Sequence, residues 1–304
     1  MTGGNAARPD NHGAMPGRAQ RFDVFCRVVD NFGDAGVALR LSRQLVVEHG
    51  AEVTLWIDDV APLLRLLGVR SIDESERHDG VWIRTLAALT SGAEFRLPEI
   101  VVEAFGCGLP DAYLDAMERA TPPPAWITLE YLSAEPWVDS VHRLPSPHPQ
   151  RALRRWFVFP GFTPSTGGLL REHRLLERLR RIEAEPTRRS APWTSLGLPA
   201  PHDDALVVSL FCYANEALPA LLDAWSRETR PVACLVPEGV AVHAVTAMLG
   251  NDASAGRIGT RGALTLAVAP FVDQPSFDRR LLGSDLCLVS RLQASSSAGS
   301  ASLA

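Results

Sequence analysis

Phe22-Asp23-Val24-Phe25-Cys26-Arg27-Val28-Val29, followed by Asp30-Asn31-Phe32-Gly33-Asp34 and then Ala35-Gly36-Val37, is the stretch that decides the fold. The short apolar run reads as a strand, the polar pentapeptide as a turn, and residues 35–49 as a helix closed by Gly50. In an open α/β sheet, a turn at the carboxyl end of a strand borders the ligand crevice. This one carries two carboxylates, Asp30 and Asp34, around the flexible Gly33. Two readings stand side by side. Asp34 either takes part in chemistry or caps the helix by accepting from first-turn amides, with Asp30 and Asn31 as ordinary turn residues.

Strand and helix runs alternate outward from this point. Residues 53–57 make a second strand and complete a βαβ unit; residues 81–83 suggest a short strand, and 100–106 and 125–131 read as buried parallel strands. Residues 111–120 form a helix between the last two. A strand opens at Arg154, and a helix rich in Arg and Leu spans residues 169–184. Asp58-Asp59 reads as a helix cap rather than a metal-binding pair. Thr166-Gly167-Gly168-Leu169 is either a plain turn or a source of amides for a phosphate or sugar.

Residues 185–204, rich in Pro, Arg, Ser and Gly, read as a linker. The alternation then restarts, with strands at 205–211, 232–237 and 264–269 and helices at 216–227 and 240–249. The expected organisation is a disordered start (1–20), a first Rossmann-like domain (21–184), the linker, a second and partial Rossmann-like domain (205–289), and a low-complexity tail (290–304).

The chain has 304 residues, of which 46% are hydrophobic and 21% charged, enough for two soluble globular domains. It holds no apolar run of roughly eighteen residues, and its first twenty lack the apolar centre of a secretory signal. A cytoplasmic protein is expected. The five cysteines show no metal-ligand spacing and read as small buried hydrophobes. A formal charge of -5 gives no global attraction to nucleic acid or anionic membranes. Every one of the 30 basic residues is arginine, which excludes lysine-based chemistry.

Residues 25–37 are similar to the start of the bacterial elongation factor P arginine rhamnosyltransferases. Further segments agree with that family in order: Glu103-Ala104-Phe105-Gly106-Cys107, Glu130-Tyr131-Leu132-Ser133-Ala134-Glu135-Pro136-Trp137, Leu144-Pro145-Ser146-Pro147-His148-Pro149, and Phe159-Pro160-Gly161-Phe162-Thr163-Pro164 with Thr166-Gly167-Gly168-Leu169. The resemblance implies a GT-B architecture, two Rossmann-like doubly wound domains facing a cleft. It implies an inverting, metal-independent transfer of L-rhamnose from deoxythymidine diphosphate-rhamnose to an arginine of elongation factor P, with no cofactor.

In the same resemblance Asp34 is the catalytic base and Asp30 a second contact to the guanidinium. Asn31, Phe32, Gly33 and Asp34 border the donor, and Tyr213, Phe271 and Gln274 fall on donor-site positions. An aromatic face and an amide suit a thymine. After Val289 the family continues Arg-Gly-Glu-Asp-Ser, whereas this chain reads Ser290-Arg291-Leu292-Gln293-Ala294 and a serine- and alanine-rich tail. An impaired donor site is therefore expected. The alternatives are a GT-B transferase with another acceptor and a non-catalytic binder of elongation factor P.

Overall fold

Strand β1 (Arg21–Cys26) has its last four residues buried, the apolar Val24, Phe25 and Cys26 together with Asp23, as a strand does when a sheet is covered on both faces. It belongs to a computed structural model that describes residues 19–92, 94–212, 216–250 and 253–289, with Asn31 by its backbone alone. Helix α1 (Asn31–His49) follows, ended by Gly50 at φ 61, and leads to β2 (Glu52–Ile57) and α2 (Ala61–Leu67). Then come β3 (Arg77–His78), β4 (Val81–Thr85), α3 (Leu86–Thr90), β5 (Ile100–Ala104) and α4 (Asp111–Arg119). The first half closes with β6 (Ala125–Leu129), α5 (Val138–Val141), β7 (Pro145–Pro147) and β8 (Arg154–Val158).

The second half runs α6 (Leu175–Glu183), α7 (Ala191–Thr194), β9 (Leu206–Phe211), α8 (Leu218–Ser226), β10 (Val232–Pro237) and α9 (Val242–Leu249). It continues with β11 (Ile258–Arg261), β12 (Leu264–Ala269), α10 (Gln274–Leu282) and β13 (Leu286–Val289).

The strands form two sheets, ordered β3-β4-β2-β1-β5-β6-β8-β7 and β11-β12-β10-β9-β13. All pairings are parallel except those of the edge strands β3, β7 and β11. The α/β fold with two parallel-rich sheets agrees with the sequence reading. In the first sheet the chain moves from β1 to β2 and β4 on one side, then returns to β5 on the other. The order therefore reverses between β1 and β5, and a crevice opens there beyond the carboxyl ends. In the second sheet the reversal falls between β9 and β13.

Three local readings need correction. Helix α1 begins at Asn31 rather than Ala35, so Asp34 lies inside its first turn and Asp30 takes the cap position. Two carboxylates around a glycine look like a loop, and only a side chain folded back on the turn makes them helical. Helix α6 begins at Leu175 rather than 169, because the preceding segment is tied to α1. Gln44 Nε2 donates to the Arg171 carbonyl, Arg40 pairs with Glu172, and the His173 amide donates to Glu48 Oε1. The stretch read as linker also contributes core: Trp193 is 1% exposed and packs with Leu198, Ala233, Leu235 and Ala267 against the second sheet.

Residues 178–189 are sewn to the second half. Arg178 pairs with Asp278, Arg279 with Glu185 and Arg189 with Asp285, while Arg188 Nη1 donates to the Leu282 carbonyl at 3.0 Å. Among the described residues all cysteines are free thiols, and Cys287, expected to be buried, is exposed on the edge strand β13. No helix among the described residues is long and apolar enough to cross a membrane.

Candidate active site

The first turn of α1 is built around Asp34, which is 1% exposed. Its Oδ2 accepts from the amides of Val29, at 3.0 Å, and Asp30, at 2.8 Å, and its Oδ1 accepts from the Tyr131 hydroxyl at 2.9 Å. Helix N-termini leave amides without helical partners, and the carboxylate satisfies that of the cap residue Asp30 together with that of Val29 just before it. Asp34 is thus a backward cap reaching from inside the helix. The Asp30 carbonyl accepts from Gly33 at 2.6 Å and Asp34 at 3.4 Å, closing the turn. Asp30 and Asp34 sit at the β1 side of the crevice, one at the helix cap and one in its first turn.

The turns after β5 and β6 complete this wall. The Tyr131 ring stacks on Phe105 at 4.2 Å and 10° between planes. Phe105 holds a left-handed backbone, φ 59, which a bulky side chain rarely adopts and which marks a position fixed by its surroundings. Its amide donates to the Leu129 carbonyl at 2.7 Å, tying the β5 turn to β6. Beneath it, Glu103 is 1% exposed, accepting from the Gly108 amide, Trp126 Nε1 and Thr128 Oγ1, with Arg155 at 3.5 Å. A buried carboxylate so fully bonded is a structural strut. Burial, and after it the Glu103 charge, push the Glu130 carboxyl up, against the pull of Arg155.

The second half reaches this wall through the loop after β12. The Phe271 ring lies 4.2 Å from that of Phe32, and the Arg65 guanidinium sits 6.0 Å from the Phe271 centroid. Phe271 therefore packs against the core of the first sheet, beside the Asp30–Asp34 turn. Gln274 opens α10 behind the Asp273 cap and lines a different space, a cavity of about 800 Å³ that it shares with Arg40, Gln44 and Asp278. The structure thus brings Asp30, Phe32, Gly33, Asp34 and Phe271 together and leaves Gln274 apart. Tyr213 lies outside the described residues, as do Ser290 to Ala304.

Asp59 accepts from the Ala61 amide at the start of α2, whereas Asp58, expected to cap the same helix, accepts from the amides of Val28 and Asp59 and so ties the turn after β1 to the end of β2; the cap position itself is Val60. The Gly167 amide donates to the Phe159 carbonyl at 2.8 Å, so it is spent within its own loop rather than offered to a phosphate. Among the described residues, no three His, Cys, Asp or Glu side chains gather as a metal site. Sequence reasoning passed over Tyr131 and Phe105 as site residues. Their signal is positional: Phe105 follows β5, which flanks the switch point, and Tyr131 follows β6, the strand next to it.

This arrangement can be set beside known proteins. The family described as Elongation-Factor P (EF-P) rhamnosyltransferase EarP matches residues 22–293. The protein-arginine rhamnosyltransferase of Pseudomonas putida is 44% identical over 266 residues, covering 87% of this chain and 70% of that protein. The enzyme of the same name from Pseudomonas aeruginosa is 40% identical over 267 residues, with the same coverage. A solved structure described as the structural basis for EarP-mediated arginine glycosylation of translation elongation factor EF-P is 33% identical, with a TM-score of 0.55. It is matched over 88% of this chain and 66% of its own. By both the family match and these identities, the chain belongs to the EarP family of glycosyltransferases, the protein-arginine rhamnosyltransferases.

Proposed function

We propose that this chain transfers L-rhamnose from deoxythymidine diphosphate-L-rhamnose to an arginine side chain of elongation factor P, in the cytoplasm, with inversion and without a metal. One observation carries the reading: a carboxylate, Asp34, fixed by two amides and a phenol at the switch-point end of β1. A carboxylate offers about four acceptor positions; the described residues fill three of them, and the remaining one on Oδ1 is assigned to the acceptor nitrogen.

A guanidinium stays charged at any working pH, so a carboxylate does not deprotonate it in advance. Asp34 therefore takes the N–H proton as the nitrogen–carbon bond forms and the carbon–oxygen bond to the diphosphate breaks, the electron pair leaving with the diphosphate. Asp30 holds a second edge of the planar guanidinium. Asn31, Phe32 and Gly33 border the sugar, while Phe271, Tyr213 and Gln274 serve the nucleotide; for Gln274 to do so, α10 must approach the crevice.

The test is incubation of the purified chain with elongation factor P and the sugar nucleotide, read by mass spectrometry. The expected product carries one deoxyhexose on an arginine and requires the donor. A chain that captures elongation factor P but never modifies it would instead be a non-catalytic binder.

A further inference from the structure

We propose that Tyr131 is a positioning residue for Asp34, setting which oxygen of that carboxylate faces the acceptor. The inference rests on the function proposed above.

The geometry leaves the carboxylate little freedom. Oδ2 is held by the amides of Val29 and Asp30, at 3.0 and 2.8 Å, which are part of the turn itself. These bonds alone permit the carboxylate to rock about Oδ2. The Tyr131 hydroxyl, donating to Oδ1 at 2.9 Å, supplies the third point that fixes the plane. The remaining position on Oδ1 is then defined in direction, as a proton acceptor within hydrogen-bond reach of a substrate must be.

The phenol is itself held. Its ring lies nearly parallel to that of Phe105, at 4.2 Å, and Phe105, which has a left-handed backbone, is tied to β6 by a hydrogen bond from its N–H to the Leu129 carbonyl. Three strand ends therefore converge: β1 supplies the carboxylate, β6 the hydroxyl, and β5 the aromatic wall against which the hydroxyl's ring rests. A buried acid that only capped a helix would have been satisfied by the two amides. The hydroxyl comes from a residue 97 positions away and crosses the switch point to reach it.

The variant that isolates the hydroxyl is Tyr131→Phe, which keeps the ring on Phe105. Two readouts are taken on the full chain: steady-state rhamnosylation of elongation factor P, and hydrogen exchange of the Val29 and Asp30 amides. The expected result is a fall in kcat of about tenfold to a hundredfold, the cost of a misplaced reacting group. The donor KM stays unchanged, the melting temperature moves by no more than a few degrees, and both amides exchange faster. A variant that turns over like the parent overturns the proposal. So does one that loses turnover while the two amides keep their protection. Should the parent chain itself give no product, the function proposed above fails, and the exchange readout alone still decides whether Tyr131 holds Asp34.

Discussion

The Asp30 carboxylate lies against the bare Cα of Gly33: a Cβ built on Gly33 would stand 2.7 Å from Asp30 Oδ2. The glycine is needed for close approach, since its backbone is ordinary first-turn helix. Gly33→Ala is therefore expected to push the Asp30 carboxylate aside. Helix propensity favours alanine by about 0.5–1 kcal/mol, so stability should hold while activity falls. A displacement near 1 Å can cost about a hundredfold in rate. Turnover and thermal melting of the variant, measured together, check this; an active variant would free Asp30 from the role.

Asp34→Ala carries two losses. The amides of Val29 and Asp30 and the Tyr131 hydroxyl would all lose their acceptor. An unsatisfied buried polar group costs about 1–3 kcal/mol, and absence of a proton acceptor typically lowers a rate by about 10²–10⁴-fold. The variant should be both inactive and visibly less stable in urea. An inactive variant with unchanged stability would mean that the turn does not depend on this cap.

Phe32→Ala and Phe271→Ala are each expected to weaken binding of the sugar nucleotide, by roughly 1–3 kcal/mol for a lost stacking ring. Because the rings touch at 4.2 Å, the two losses should not add. Calorimetry on the two single variants and the double variant reads the coupling. Strict additivity would show that the pair is not one binding element.

Asp23 gives a pH dependence far from the catalytic turn. It is 5% exposed and accepts from Tyr113 Oη at 2.5 Å; burial raises its pKa from 3.8 to about 6, and that hydrogen bond only partly offsets the rise. The folded state holds this proton more tightly than the unfolded chain, so the group favours folding at low pH. The preference is lost as pH climbs from near 4 through about 6. At about 1.36 kcal/mol per pKa unit the penalty above that window is roughly 3 kcal/mol. Asp23→Asn should therefore be more stable than the parent at pH 8, with the gap closing toward pH 4. Urea melts at the two pH values test the sign.

Donor affinity should also respond to residues 290–294, which read Ser-Arg-Leu-Gln-Ala where the resembled family carries Arg-Gly-Glu-Asp-Ser. Replacing them with the family's five residues is expected to tighten sugar-nucleotide binding, since a diphosphate held by that segment would gain charge-assisted contacts from its arginine. Equal affinities by calorimetry would remove the segment from the donor site.

The α/β architecture was legible because β10 is an unbroken apolar run and β1 is interrupted only by Arg21 and Asp23. The start of α1 was not. Gly33 and two aspartates argue for a turn, and the bond that makes them helical runs from Asp34 back to Val29 and Asp30, a tertiary-looking fold of a local side chain. Asp30 and Asp34 could be singled out by their place after β1, but Tyr131 joins them only through sheet order. That order is invisible in a string of letters. Trp193 escaped for a similar reason: a lone aromatic among Pro, Arg and Ser has no period to announce it.

The chain between the two sheets has a consequence of its own. Residues 171–173 are fastened to α1, residues 178–189 are fastened to α10 and its surroundings, and Arg174 stands between them in a left-handed conformation, φ 60. The handover from one half of the molecule to the other is thus concentrated in about one residue. A change of backbone at Arg174 would therefore shift the Phe32–Phe271 contact and the cavity beside α1 together.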